Sequence, residues 1–283
     1  MKPGHIIIPA VAILAVIVLA LLPRGVVEND RDLMGTKNSQ PDSQGPVVSS
    51  SAIGNEGADG HAGLPPAVAK QADSLRALLE SSEDKEKSII FADSLASLYA
   101  SVQKTDSAAR YATLLADLAP GPENWLRAGE SWFEAFSFAI QKERIAYFGD
   151  QAAVYLQKAI EADPSLVDAQ VMVAMTKVAS ENPMQGILSL RELAEKYPDN
   201  VMAQFHLGRF SMQTGQFAKA VERFTMVLKN EPGHEEARYL LAEALWRDGQ
   251  GAKAVNELST LIAQTDKEEV RAAAQNLLQE IRK

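Results

Sequence analysis

Apolar and polar positions follow three different patterns along the 283 residues. From Ile6 to Leu22 every position except Pro9 is apolar, and no Asp, Glu, Lys or Arg occurs between Lys2 and Arg24. These 17 residues reach the lower end of the about 17–25 that a membrane-crossing helix needs. Pro9 falls in the first turn, where its missing N–H costs little. From Arg24 to about Leu64 no period survives: the text NSQPDSQGPVVSSSAIGNEGADGHAG is rich in Ser, Gly, Asn, Asp and Pro. It cannot bury enough surface to offset its ordering entropy and reads as a flexible linker, with a reach of ~5–6 Å × √n for n residues. Beyond Pro65 a helical period begins. Leu75, Leu78 and Leu79 predict a helix over about 66–81. At the far end Val270, Ala273, Ala274, Leu277, Leu278 and Ile281 share one face of a terminal helix, with Asp266 and Glu269 spaced as its capping box.

Between these ends the pattern repeats every 34 residues: Pro164, Pro198 and Pro232 form one column, continued by Asp266. Ala169, Ala203 and Ala237 form a second; Ala174, Gly208 and Ala242 a third. Gly186, Ala220 and Ala254 form a fourth, followed four residues later by Leu190, Phe224 and Leu258. Small residues in fixed columns let paired helices approach, and the large apolar residue fills the groove between them. The prolines end each second helix. An earlier unit opens with Trp125, Gly129 and Trp132 and closes with Ala152, Leu156 and Pro164, and a still earlier one carries Leu95, Ala96, Tyr99, Ala108 and Pro120. Gly129 to Ala152 spans 23 residues instead of 12, so about 11 are inserted around Gln141–Asp150.

These marks resemble the tetratricopeptide repeat family, a 34-residue helix–turn–helix unit carrying W-x2-L-G-x2-Y…A-x3-F…P. Leu207-Gly208, Ala220, Phe224 and Pro232 are the best single match. The resemblance implies an all-α fold with a right-handed solenoid over residues 66–283, preceded by what the apolar run and the polar text after it predict, a transmembrane signal anchor over residues 1–23 and a disordered linker over 24–65. Repeat-like units are expected near 88–121, 122–166, 167–200, 201–234 and 235–268, with Asn182-Pro183 opening one second helix and a capping helix over 267–282. The insertion reads either as a helix extension, with Gly149-Asp150 capping the second helix, or as a projection presenting Lys142, Arg144, Tyr147 and Phe148.

Two readings of the amino end stay open. Val18-Leu19-Ala20 offers small residues for signal cleavage, whereas the apolar run continues to Pro23 without a polar segment and favours an uncleaved anchor. Arg24, Arg31 and Lys37 outnumber Lys2 and would by count keep the carboxyl side inside, but Glu28, Asp30 and Asp32 are interspersed among them. Short basic amino tails stay inside in secretory signals, so we expect a single-pass protein of a bacterial inner membrane with the repeats on the periplasmic side.

Composition narrows the chemistry. Lys+Arg 28 against Asp+Glu 37 gives a net charge of −9, contrary to the basic stripe of a nucleic-acid binder. With no Cys, disulfides, thiolate zinc sites and thiol nucleophiles are excluded. His234-Glu235-Glu236-Ala237-Arg238 starts like a zinc-protease helix but lacks the second His. No phosphate-binding loop and no nucleophile elbow occur, so no catalytic residue, cofactor or metal is expected. The expected function is that of a membrane-tethered scaffold binding a protein or peptide.

In the resembled family, the first helix of each repeat lines a concave face. The positions carried over include Glu130, Glu134, Asp168, Val171, Met172, Met175, Met202, Phe205, His206, Arg209, Met212, Glu236, Tyr239, Leu240, Glu243 and Trp246. Met172, Met175, Phe205, Arg209, Met212, Tyr239 and Trp246 are the candidate binding set: a methionine-rich, aromatic groove that can repack around an apolar or helical segment.

Overall fold

The computed structural model describes residues 64–180 and 183–283. The apolar run, the linker up to Gly63 and the expected cap at Asn182 lie outside the described residues. Twelve helices follow one another with short connections: α1 (Pro66–Ser81), α2 (Lys85–Ser101), α3 (Thr105–Leu118), α4 (Pro122–Phe138), α5 (Lys142–Ala162), α6 (Val167–Val178), α7 (Pro183–Lys196), α8 (Val201–Gln213), α9 (Phe217–Asn230), α10 (Glu235–Arg247), α11 (Gly251–Gln264) and α12 (Glu268–Ile281). No strand occurs among the described residues. Each helix packs on its sequence neighbours, and α4, α6, α8, α10 and α12 also touch in succession. Short loops between long apolar helices leave only antiparallel neighbours, so the chain stacks helical hairpins into an all-α solenoid.

Local chemistry sets the helix ends. Pro66, Pro122 and Pro183 occupy first positions, where the missing N–H is free of charge. The Asp84 carboxylate accepts from the N–H groups of Glu86 and Lys87, and the Asn200 side chain accepts from Ala203 N–H at 2.8 Å. Gly215 and Gly249 stand at the turn inside successive hairpins with φ of 70° and 79°, the left-handed region open to glycine. Pro164, Pro198 and Pro232 stand two residues past α5, α7 and α9, and the preceding Asp163 and Glu231 are extended, with φ of −139° and −128°. The capping box expected at Asp266 and Glu269 does not form. The cap position is Lys267, with no side-chain cap, and its N–H bonds the Thr265 hydroxyl two residues back instead.

The repeat columns are the core. Ala169, Ala203, Ala237, Ala220, Ala242, Ala254, Phe224, Leu190 and Leu258 are all buried, and Gly129 and Gly208 lie buried between their paired helices, with Trp125 half-buried one turn before Gly129. Three apolar clusters run in series along the stack: the first from α1 to α6, the next from α6 to α8, the last from α8 to α12. A polar column joins the repeats. Gln170 Nε2 donates to the Pro164 carbonyl at 2.8 Å, Gln204 to Pro198 at 2.9 Å and Arg238 to Pro232 at 2.8 Å. A long donor on one repeat's first helix thus satisfies a carbonyl left over at the end of the preceding repeat.

The insertion is entirely helical. α4 has 17 residues against 13 in α8 and α10, and α5 has 21 against 14 in α7, α9 and α11. Four and seven extra residues are the whole numbers nearest one and two turns of ~3.6 residues, so the apolar face stays in phase. α5 runs unbroken from Lys142, and Gly149 is buried inside it; Gly149-Asp150 is no cap. Phe148 is buried against Trp132 at 5.5 Å between ring centroids, Tyr147 meets the Trp132 ring edge-on at 5.7 Å, and Arg144 lies over Phe148.

Candidate protein-binding groove

The inner row of helices is α2, α4, α6, α8, α10 and α12. Polar ties link its members: Arg127 of α4 pairs with Asp93 of α2 and bonds Ser97, Asn200 Nδ2 donates to Asp168 at 2.7 Å, and Lys267 bonds Glu235 at 2.8 Å. These bonds fix the spacing of the row, which is the floor of the groove.

Met172 and Met175 on α6, Arg209 and Met212 on α8, and Tyr239 and Trp246 on α10 are all half-buried, with part of each side chain open to solvent. They lean on the core clusters beneath them while keeping a free surface. Phe205 departs from this pattern. It is only 9 % exposed and belongs to the core between α8 and α10. Its ring stacks on His234 at 4.9 Å and meets Phe224 at 6.0 Å, and the Arg209 guanidinium lies 5.9 Å above it. The physical reason is the next repeat: His234, at the start of α10, covers the ring. Val171 and Leu240 are likewise buried, so these carried-over positions serve repeat-to-repeat packing.

His234 has a structural role. Its Nδ1 accepts from Ala237 N–H at 3.2 Å, capping α10, and burial pushes its pKa below the ordinary value, partly offset by Glu231. Among the described residues no group of three or more His, Asp or Glu could hold a metal ion.

The groove's charges differ in exposure: Glu130 and Glu134 are open to solvent and Glu236 is half-buried. Burial raises the carboxyl pKa of Glu130, with Asp168 adding to the effect, and that of Glu134. Burial also raises Glu236, against the pull of Arg209. Tyr239 is pushed up to about 12 by burial, then by Glu243 and Glu280. His206 is pushed down to about 3, by burial first and then by the Arg209 guanidinium, while part of the residue's surface still reaches solvent.

His206 gives a pH prediction. Its folded pKa lies below the ordinary value of 6.5, so the unfolded chain binds the extra proton as pH falls. The stability it permits is complete above pH 6.5 and is lost towards about pH 3. The raised carboxyls of Glu130, Glu134 and Glu236 act in the opposite sense, gaining stability as they take up protons. We expect His206→Gln to flatten the fall of the thermal midpoint between pH 7 and pH 4 relative to wild type, a drop worth about 1.4 kcal/mol per pKa unit removed at most. Parallel wild-type and variant curves would show that His206 is not held neutral.

Two tetratricopeptide repeat models match the chain, over residues 171–222 and 211–280. No curated protein matches it by sequence. A crystal structure of a tetratricopeptide repeat protein from Parabacteroides merdae is 11% identical, covering 76% of this chain and 80% of its own, with a TM-score of 0.53. PilW, described as a widely conserved type IV pilus biogenesis factor, is 18% identical over 75% of this chain and 90% of its own, with a TM-score of 0.51. YrrB, a tetratricopeptide repeat protein with an unusual peptide-binding site, is 21% identical over 72% of this chain and 99% of its own, at a TM-score of 0.40. At these identities the likeness concerns the fold. With the 34-residue columns buried as the repeat requires, the family matches and the solved folds together support the tetratricopeptide repeat family for this chain.

Proposed function

We propose that this protein is a non-catalytic adaptor, tethered to a membrane by Ile6–Leu22, that holds a polypeptide segment along the inner row of helices. The observation that carries this reading is the row Met172, Met175, Met212, Tyr239 and Trp246, five large apolar side chains left half-open on consecutive inner helices. Side chains of this kind serve as interface anchors and, in methionine, adapt to more than one shape. Glu130, Glu134, Asp168, Arg209 and Glu236 rim the same floor, supplying polar contacts around the apolar centre. The apolar run and linker support attachment to a bacterial inner membrane with the repeats on the periplasmic side. An intact mass that retains residues 1–23 would distinguish the anchored form from a signal-cleaved, released one.

The binding reading is tested with Tyr239→Ala and Trp246→Ala. Each is expected to lose crosslinked partners from native membranes, as aromatic anchors lose about 2 kcal/mol or more on truncation. The thermal midpoint should fall only modestly, because each ring keeps solvent-facing surface. Collapse of the midpoint in both variants would make these residues core and remove the groove as the recognition surface.

A further inference from the structure

The extra length of α4 and α5 lies at one edge of the stack. α4 starts two residues after Pro120 and α5 ends two before Pro164, in step with the neighbouring repeats, so the four and seven added residues all extend the end that carries the connection 139–141. At ~1.5 Å per residue the hairpin projects ~6–10 Å past the turns of the other repeats. Its tip is apolar. Ile140 is 94% exposed, Phe138 39% and Tyr147 48%. Lys142 is exposed just behind, and Arg144 pairs with Asp106 at 3.0 Å.

The alternation of helix direction fixes which edge this is. α1 runs opposite to α2, α3 opposite to α2, and α4 opposite to α3, so the start of α1 stands at the same edge as the end of α4. Leu64, where the chain enters the solenoid from residues 1–63, is therefore on the edge from which the hairpin projects. Between Leu22 and Leu64 lie 41 residues.

We propose that the α4–α5 tip inserts shallowly into the lipid bilayer that the amino-terminal segment anchors. This rests on the tether reading above. A protruding tip led by Ile140 and Phe138 offers far less than the ~1,000 Å² that a stable protein interface buries, but suits a deformable apolar medium. Ile140 is the outermost apolar side chain, Lys142 beside it can reach lipid phosphates along its own stem, and Tyr147, farther back along α5, stands nearer the interface. The second contact would restrict the tethered solenoid and set the direction in which its groove faces.

The absence of native cysteine allows a single reporter. Full-length protein carrying Gln141→Cys, labelled with an environment-sensitive fluorophore, is reconstituted in phosphatidylethanolamine–phosphatidylglycerol vesicles. Glu231→Cys, exposed at the opposite edge, is the control. Flotation after a carbonate wash reports the tether. The expected result is flotation of both proteins, with a blue shift, quenching by lipid-borne spin label and protection from iodide at position 141 but not at 231. Adding Ile140→Asp should reverse the blue shift and the protection, with flotation kept. Flotation with position 141 as open to iodide as 231 would overturn the tip contact alone. Failure to float would overturn the tether and, with it, the tip.

Discussion

Gly186→Ala is expected to lower the thermal midpoint by about 6–12 °C, the shift for about 3 kcal/mol of overpacking in a domain of this size. A Cβ at Gly186 would stand 2.5 Å from the Val178 backbone nitrogen and 2.6 Å from the Ala174 carbonyl oxygen. Both are backbone atoms of α6, so no rotamer change relieves the clash and α6 and α7 must separate. Gly208→Leu should be at least as costly by a different route. A Cβ there meets the Phe224 ring at 2.7 Å, and Phe224 is fully buried with no space to swing into. Gly233→Ala is the control, because nothing lies within 4 Å of its added Cβ. Midpoints for Gly186→Ala and Gly208→Leu indistinguishable from the Gly233→Ala midpoint would mean that the helices are not this close.

Trp132→Ala should cost about 4 kcal/mol, near the middle of the range for removing a buried aromatic ring. Its side chain is 2% exposed, and its Nε1–H donates to the Thr113 hydroxyl at 2.8 Å. Trp132→Phe keeps much of the volume and loses mainly that bond, for about 1 kcal/mol plus a residual cavity. The ring also supports Tyr147 and Phe148 of the extended hairpin. Hydrogen exchange in residues 139–149 should therefore accelerate in Trp132→Ala beyond its increase in α10 and α11. Uniform acceleration, or none, would show that the hairpin does not depend on this contact.

The candidate groove was legible only in part. Position within the repeat is enough to place a residue on the inner helices, and Met172, Met175, Arg209, Met212, Tyr239 and Trp246 all keep open surface there. It is not enough to say whether a neighbour covers that residue. Phe205 and Trp246 have the same apolar character in sequence, yet His234 stacks over Phe205, and Trp246 stays half-open. The donors Gln170, Gln204 and Arg238 form no visible column because their types differ, although their 34-residue spacing is as regular as that of the prolines. What they share is reach, a property of length and donor placement rather than of residue type.

The sequence by itself determined the helical class, the 34-residue period, the columns Gly208, Ala220, Phe224, Pro232, Ala242 and Ala254, and the covering helices Pro66–Ser81 and Glu268–Ile281. Each follows from short-range physics: the helical period of apolar side chains, small residues where backbones meet, and the helix-ending effect of proline. Only the tertiary structure decided that Phe205 is core, that Gly186 is the tightest backbone approach, and that the eleven inserted residues extend two helices into one projecting hairpin. Those outcomes depend on distances between segments far apart in the chain. A residue's exposure and a glycine's necessity are set by the neighbour that packs against them, and a one-dimensional pattern does not contain that neighbour.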